Sequence, residues 1–170
     1  MSLRKILTLA LVVVAGCAYS TQTRLPASIH SFSVGVFGNS TEYLSIEGRL
    51  TSNLIAEIGR SPRYTVVNDR ADAELSGTII EVRQTVLEYD ANNQPRNMQT
   101  TIRARFSLFD RASNSFLIEN REVSSSQSST LAGRYYPASG DGGENAMDAA
   151  LQELARVLVR SIMLTKTGDR

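Results

Sequence analysis

The sequence predicts an α+β domain in which two helices pack on one face of a mixed sheet of about five strands. The first observation is a strand–helix–strand pattern in the first half of the chain, which is typical of a βαβ unit. The second is a set of three strand-like runs joined by turn-rich segments, which predicts an antiparallel meander. The third is an apolar pattern of helical period near the C-terminus, which supplies the second helix.

The composition is that of one globular domain. The chain has 170 residues, of which 42% are hydrophobic, and a net charge of +1. This length fits one domain, and an apolar content this high with so little net charge excludes a disordered chain. The near-neutral charge argues against a generic nucleic-acid-binding protein. A single Cys excludes an intrachain disulfide framework and a cysteine-rich zinc site.

Residues 1–16 are predicted to be a lipoprotein signal peptide. Two basic residues precede an apolar run at positions 6–15, which is too short to cross a bilayer because a spanning helix needs about 20 residues. The run leads into Val-Ala-Gly-Cys at positions 14–17, which resembles the bacterial lipobox. That resemblance implies cleavage before Cys17 and its acylation with chains such as palmitate. The alternative is an ordinary secreted protein with a Cys at the cleavage site by chance.

The remaining boundaries follow from that cleavage. Residues 17–30 are predicted to be the acylated N-terminus and tether, residues 31–166 a single periplasmic α+β domain, and residues 167–170 a tail. Ala18 follows the Cys, whereas an Asp there would signal retention in the inner membrane in the lipoprotein families. Several acyl chains anchor a protein stably where one chain binds reversibly. We therefore expect the lipid on Cys17 to hold the protein in the outer membrane.

The βαβ unit begins with alternating apolar residues. Phe32, Val34 and Val36 share one face of a strand over residues 31–37, and a polar turn at 38–41 ends it. Four apolar residues at i+4 spacing then predict a helix that stops at Gly59. Residues 64–67 form a second strand, which the crossover should place parallel to the first. The helical stripe consists of Ile46, Leu50, Leu54 and Ile58.

The meander has strands over residues 78–89, 100–109 and 116–124, with turns at 90–95 and 111–115. The apolar residues of its first two strands fall mainly on even positions. For both apolar faces to lie on the same side of the sheet, even positions must pair with even positions. This pairing requires an odd number of residues in the first loop, which disfavours a simple two-residue Asn-Asn turn.

A final helix is predicted after a polar loop over residues 124–140. Asp141 and Glu144 have the spacing of a capping box, and apolar residues recur at helical spacing from Met147 to Ile162. The apolar faces of strands and helices should meet in one core. Its predicted members are Phe32, Val34, Val36, Leu50, Leu54, Ile80, Val82, Ile102, Phe106, Leu108, Leu151, Leu154 and Leu158.

No enzymatic activity, metal site or non-covalent cofactor is predicted. His30 is the single His and is expected to be a surface or turn residue, while Cys17 would be consumed by acylation. Asp69, Asp72 and Glu74 are the densest group of carboxylates, but a solvated turn is a better interpretation than an acid–base pair. The glycine-rich segment before the last helix lacks the Lys-Ser/Thr ending of a phosphate-binding loop.

The outward face of the meander is predicted to collect arginines. Guanidinium groups bind phosphate through two parallel hydrogen bonds, so a phosphorylated ligand is one hypothesis. The alternative is a solvated face with Arg–Glu pairs between strands. If the face is only solvated, the remaining candidate for binding a phosphorylated lipid is Arg134, beside Tyr135 and Tyr136 in the long loop. The outward positions include Glu81, Arg83, Thr85, Arg103, Arg105, Ser107, Glu119 and Arg121.

Together these features resemble the LptE family of lipopolysaccharide-assembly lipoproteins. The resemblance implies a lipid-anchored protein seated as a plug in a large outer-membrane β-barrel, LptD, where it helps to insert lipopolysaccharide into the outer leaflet. Candidate contacts to lipopolysaccharide or to the barrel are Arg83, Arg103, Arg105, Arg121 and Arg134. The residues that carry the resemblance are 15–19 at the anchor, 34–41 on the first strand, 47–51 in the first helix, 71–79 before the long strand, and the Ala-, Leu- and Arg-rich final helix.

A second interpretation is a periplasmic lipoprotein of another class, such as a curli-assembly factor or a penicillin-binding-protein activator. These proteins share the opening order of strand, Asn-Ser-Thr turn, helix and strand. The long meander with its polar hairpin at residues 90–97 favours the transport function.

Overall fold

A computed structural model describes residues 25–165, except for residues 128, 130, 141 and 142. The predicted signal peptide, Cys17, the first part of the tether and the tail lie outside the described residues. The strands are β1 (Ser31–Val34), β2 (Gly38–Asn39), β3 (Thr65–Val66), β4 (Ala73–Tyr89), β5 (Pro95–Asp110), β6 (Ser115–Ser124) and β7 (Arg134–Tyr135). The helices are α1 (Ile46–Gly59) and α2 (Glu144–Met163), with short 3₁₀ turns at Ser125–Gln127 and Pro137–Ser139.

The strands form one mixed sheet in the order β3-β1-β4-β5-β6. The two-residue strands β2 and β7 pair with β4 and β5 outside that path. β1 runs parallel to β3 and to β4, and the meander β4-β5-β6 is antiparallel. The predicted α+β architecture, with a parallel βαβ start and an antiparallel second half, is confirmed.

Both helices bury the stripes that the sequence predicts. Ile46, Leu50, Leu54 and Ile58 of α1 are all buried, because i+4 spacing places them on one side of the helix. The apolar side of α2 is buried in the same cluster. α2 begins at Glu144 with Gly143 at its N-cap and no side-chain cap, and the expected capping residue Asp141 lies outside the described residues. Within the described part of the chain, no helix is long and apolar enough to cross a membrane.

The predicted core is correct except at two positions. Val36 is 77% exposed, because β1 ends at Val34 and the chain then turns Phe37 inward. The Phe37 amide donates a hydrogen bond to Thr51 Oγ1 on α1, at 3.2 Å. The ring occupies the space beside Gly77, where an added Cβ would lie 2.5 Å from it. Gly77 is therefore required by close packing rather than by its backbone angles.

In β4, Ile79 is fully buried, whereas the predicted core residue Ile80 is only partly buried. The pairing of β4 with β5 shifts by one residue between Ile79 and Glu81, which is a β-bulge. Odd positions of β4 face the core before this bulge, and Val82 faces it afterwards. A strict alternation without the bulge therefore predicts the wrong inward-facing residues for the part of β4 before Glu81.

Beyond the bulge, the predicted pairing of even positions is confirmed. Val82 lies opposite Ile102, and Val86 lies opposite Met98. The hairpin closes through a hydrogen bond from the Asp90 amide to the Gln94 carbonyl, so an odd number of residues forms the loop between them. Asn93 has a φ of 59°, as expected for a three-residue hairpin with one left-handed position.

Candidate functional site

The candidate site is the outward face of the meander, on the side of the sheet away from the helices. Arg83 and Glu81 come from β4, Arg103 and Arg105 from β5, and Glu122 from β6. These five residues are called the arginine face below. The strand registers bring them together, because Glu81 lies directly opposite Arg103, and Arg105 lies directly opposite Glu122. The prediction that Arg83, Arg103 and Arg105 share a face is confirmed.

The arginine face is one continuous chain of ion pairs across three strands. Glu81 binds Arg83 at 2.5 Å and Arg103 at 2.8 Å. Glu122 binds Arg103 at 2.6 Å and Arg105 at 2.7 Å. Three guanidinium groups share two carboxylates, so the cluster keeps one net positive charge. Each arginine side chain is more than 40% exposed, which leaves donors accessible to a ligand.

Arg121 does not belong to this face, contrary to the prediction. Its register partner is Phe106, a core-facing residue, and its guanidinium donates to Ser161 and Thr165 at the end of α2. The cause is a bulge in β6, where Asn120 has a φ of 51° and the pairing shifts. The shift places Arg121 on the helix side of the sheet, where it remains exposed, and brings Glu122 to the outward face.

Arg134 lies apart from the arginine face. It is exposed in β7, opposite Gln99 of β5. Tyr135 beside it is partly buried and donates from its hydroxyl to the sulfur of Met98, at 3.3 Å. Tyr136 is 52% exposed. The predicted grouping of a cation with two aromatic side chains is thus reduced to Arg134 with one exposed ring.

Hydrogen bonds within the arginine face shift the pKa values of Glu81, Glu122 and Arg103. Arg83 first, and Arg103 second, hold the pKa of the Glu81 carboxyl below its ordinary value of 4.5. Arg105 first, and Arg103 second, lower the pKa of Glu122 in the same way. The two carboxylates in turn raise the pKa of Arg103, with Glu122 the larger cause. Both glutamates therefore remain ionised at neutral and mildly acidic pH.

The lowered pKa values predict a small loss of stability in acid. A carboxylate whose pKa is lower in the folded state stabilises the fold above its unfolded pKa, and that contribution disappears as pH falls through the folded pKa. Glu81→Gln with Glu122→Gln should therefore flatten the pH dependence of the urea midpoint below pH 4.5. The control is Glu42→Gln with Glu119→Gln, which removes two exposed carboxylates outside the face. Equal acid slopes for the wild type and the Glu81/Glu122 variant would contradict the ion-pair chain.

Two polar hollows open beside the arginine face. One, of 310 Å³, is lined by Arg83, Arg103, Glu81 and four hydroxyl side chains. The other, of 490 Å³, has Arg105 and Asn120 on its wall together with four hydroxyl side chains. A guanidinium surrounded by neutral hydroxyl groups can bind a phosphate and hydrogen-bond the sugar that carries it.

Two of the three carboxylates singled out in the sequence, Asp72 and Glu74, are held in structural contacts. Asp72 accepts hydrogen bonds from the His30 and Ser31 amides and from the Ser31 hydroxyl, and these bonds hold the pKa of Asp72 below its ordinary value. Glu74 pairs with Arg111 at 3.0 Å, while Asp69 is exposed. Within the described residues, no three His, Cys, Asp or Glu side chains are placed to hold a metal ion.

Comparison with solved structures identifies the fold in other bacterial proteins. An uncharacterized lipoprotein B from Nitrosomonas europaea is 17% identical, with a TM-score of 0.52 over 82% of this chain and 84% of that chain. The PelC dodecamer subunit from Paraburkholderia phytofirmans is 12% identical, with a TM-score of 0.50 over 84% of this chain and 96% of that chain. At such low identity the likeness concerns the fold alone.

Comparison at the level of families gives a specific result. The family model described as LptE, lipopolysaccharide-assembly, matches residues 29–165. The matched segment begins just before β1 and ends just after α2, so it contains every strand and helix of the domain. No curated protein matches the chain.

Proposed function

Since this chain belongs to the LptE lipopolysaccharide-assembly family, we propose that it is an outer-membrane lipoprotein that works with the β-barrel LptD. Its role is to help deliver lipopolysaccharide to the outer leaflet. The observation that carries the proposal is the family match over residues 29–165, which spans all the strands and helices of the described residues.

The arginine face supplies the chemistry that this role needs. Lipopolysaccharide headgroups carry phosphate, and Arg83, Arg103 and Arg105 present exposed guanidinium forks that can bind phosphate bidentately. Glu81 and Glu122 hold these forks in place until a stronger anion displaces them. Such exchange favours transient binding, because the arginines return to their glutamates when the ligand leaves. Arg134 is a separate candidate contact to the ligand or to the barrel.

The anchor is proposed to be Cys17. Metabolic labelling with a clickable fatty acid should mark the wild-type protein and leave Cys17→Ala unmarked, since the thiol and the new amine of this residue are the acylation sites implied by the lipobox. Both proteins should be detected at similar levels by immunoblot, so that a missing label is not a missing protein. Equal labelling of the two would contradict acylation at Cys17.

The proposed partner can be identified by co-purification. The acylated protein, isolated from its own envelope in mild detergent, should bring with it the outer-membrane barrel LptD. Recovery of a peptidoglycan synthase or of a curli secretion pore in place of the barrel would favour the second interpretation. Cys17→Ala is not a suitable negative control here, because an extensive barrel interface can form without the lipid.

A further inference from the structure

Both hollows beside the arginine face contain hydroxyl groups that are available to a ligand. The hollow of 490 Å³, called the Arg105 hollow below, has Ser40, Ser76 and Thr78 on its wall. The hollow of 310 Å³, called the Arg83 hollow, has Thr85 and Thr101 on its wall. Within the described residues, none of these five hydroxyl groups makes a hydrogen bond. A hydroxyl group donates and accepts, so each of them can pair with a sugar hydroxyl.

The strand register places a hydroxyl group beside the guanidinium of each hollow. Thr78 of β4 lies directly opposite Arg105 of β5, and Thr101 of β5 lies directly opposite Arg83 of β4. Side chains at such opposite positions on one face are about 5 Å apart at their Cβ atoms. A phosphate bound by either arginine would therefore bring the sugar that carries it onto the neighbouring threonine.

The two outer arginines differ from the central one in how they use their donors. Arg83 and Arg105 each bind their glutamate through Nε and Nη2. Arg103 instead donates from Nη1 to Glu81 and from Nη2 to Glu122. Within the described residues, Nη1 of Arg83 and Nη1 of Arg105 make no hydrogen bond, so both can bind an anion while the glutamates hold them in place. Arg103 holds the two halves of the ion-pair chain together.

The two hollows are farther apart than the ends of one sugar ring. Thr101 and Arg105 both lie on β5, four residues apart. At about 3.4 Å per residue, the two positions are about 14 Å apart along the strand. A ligand that fills both hollows is therefore an oligosaccharide, and it carries one phosphate for each outer arginine.

The walls of the hollows suit sugars better than acyl chains. Charged and hydroxyl side chains line the Arg83 hollow throughout. The apolar lining of the Arg105 hollow is limited to Gly77, Ile80 and Phe106, and the Phe106 side chain is turned into the core. Acyl chains gain free energy on leaving water only where apolar surface covers them. These hollows offer too little of it.

We propose that the two hollows bind a phosphorylated oligosaccharide lengthwise along β5, with one phosphate on Arg105 and another on Arg83. Thr78 and Thr101 hydrogen-bond its sugar rings and thereby distinguish a phosphosugar from free phosphate. This inference rests on the proposed function, because it names the part of lipopolysaccharide that the arginine face binds. That part is the phosphorylated saccharide, and the acyl chains lie elsewhere.

The first test compares ligands on the full-length lipidated protein in mild detergent, by isothermal titration calorimetry. The main probe is the saccharide obtained by removing the acyl chains of lipopolysaccharide, with its phosphates retained. We expect it to bind and to compete with intact lipopolysaccharide. The same saccharide without phosphates, glucosamine phosphate and inorganic phosphate should each bind at least a hundredfold more weakly, because they lose the gain from linking two contacts in one ligand.

The second test removes one hydroxyl group from each hollow. Thr78→Val with Thr101→Val nearly preserves side-chain volume, and it should weaken saccharide binding about tenfold, since sugar hydroxyls are left without partners. The matched control is Thr65→Val, at an exposed threonine of β3 that lines neither hollow. It should bind the saccharide like the wild type. Urea midpoints near that of the wild type show that the variants are folded.

The outcomes separate this inference from the proposed function. Binding of intact lipopolysaccharide without binding of the deacylated saccharide overturns the inference and leaves the proposed function standing. Equal affinity for the saccharide and for glucosamine phosphate overturns the use of both hollows. Wild-type affinity of the Thr78→Val/Thr101→Val variant overturns the role of the threonines. If depletion of the protein leaves lipopolysaccharide delivery unchanged, the proposed function fails even where the saccharide binds.

Discussion

Truncation of Phe106 to alanine is expected to lower the free energy of unfolding by about 3–5 kcal/mol, as truncation of buried phenylalanines does. Phe106 is 1% exposed in the middle of β5, and it lies opposite Gly77 of β4. Gly77 has no side chain that could fill the resulting cavity, and its backbone is already held against Phe37. Urea denaturation at neutral pH, followed by circular dichroism, measures the change.

Phe116 provides the matched control for this experiment. It has the same side chain and lies on the adjacent strand, but it is 52% exposed. Phe116→Ala should therefore cost less than half as much free energy as Phe106→Ala, because much less apolar area is buried there. Equal costs for the two variants would show that the assignment of inward and outward faces in the meander is wrong.

Reversing two charges on the arginine face is expected to impair function while leaving the fold intact. Arg103→Glu with Arg105→Glu removes two of the three guanidinium groups and places two new carboxylates beside Glu81 and Glu122, which makes four in all. Hydrogen bonds to charged groups contribute about 1.5–3 kcal/mol each, so lipopolysaccharide binding should weaken at least tenfold. Cells that rely on this variant should become sensitive to large antibiotics. The far-ultraviolet circular dichroism spectrum should stay near that of the wild type.

Three comparisons separate charge from structure in this test. Arg103→Gln with Arg105→Gln removes the donors without adding repulsion, and it should also bind weakly. Arg60→Glu with Arg160→Glu makes the same change in net charge at exposed positions of the helical layer, and it should bind normally. High salt should reproduce part of the loss in the wild type, since exposed charges are screened within about 10 Å at 0.1 M. If the Arg103→Glu/Arg105→Glu variant binds lipopolysaccharide as tightly as the wild type, the arginine face is only a solvated surface.

The regular parts of the fold could be predicted because their apolar periods are unbroken. The stripe of α1 runs through four turns without a polar interruption, and the even positions of β5 from Ile102 to Leu108 are all buried. The same patterns predict the odd number of residues in the first hairpin loop, because the apolar faces of β4 and β5 must lie on the same side of the sheet. The hairpin rule places β4, β5 and β6 side by side, whereas the position of β1 between β3 and β4 follows from neither the crossover rule nor the hairpin rule.

The errors arise where the backbone departs from a regular strand. The bulge after Ile79 and the left-handed Asn120 each change the phase of a strand by one residue, and neither leaves a unique mark in the sequence. Gly77 in β4 is the one sequence signal that points to the inward position of Phe37. A glycine within a strand often marks a place where another group approaches the backbone closely, and here that group is the Phe37 ring. Because the sequence carries no signal for the left-handed Asn120, alternation places Arg121 on the outer face and does not identify Glu122 as a member of that face.

The sequence therefore predicts that arginines and glutamates share the outward face of the meander, but it predicts only some of the residues that form the site. Arg103 and Arg105 lie on the most regular strand, and the sequence predicts their outward orientation correctly. Glu81 and Arg83 follow the bulge of β4, where the predicted phase is restored. The ion-pair chain that links them depends on strand register and side-chain distances, which alternating polarity does not specify.

The most direct test of the central proposal is the arrival of new lipopolysaccharide at the cell surface after this protein is depleted from its own cell. Lipopolysaccharide is pulse-labelled, and its outer-leaflet fraction is measured with a reagent that cannot cross the outer membrane. We expect the labelled molecules to accumulate in the inner membrane, with recovery when the wild-type protein is restored. Arrival at the surface at the undepleted rate would contradict a role in lipopolysaccharide assembly.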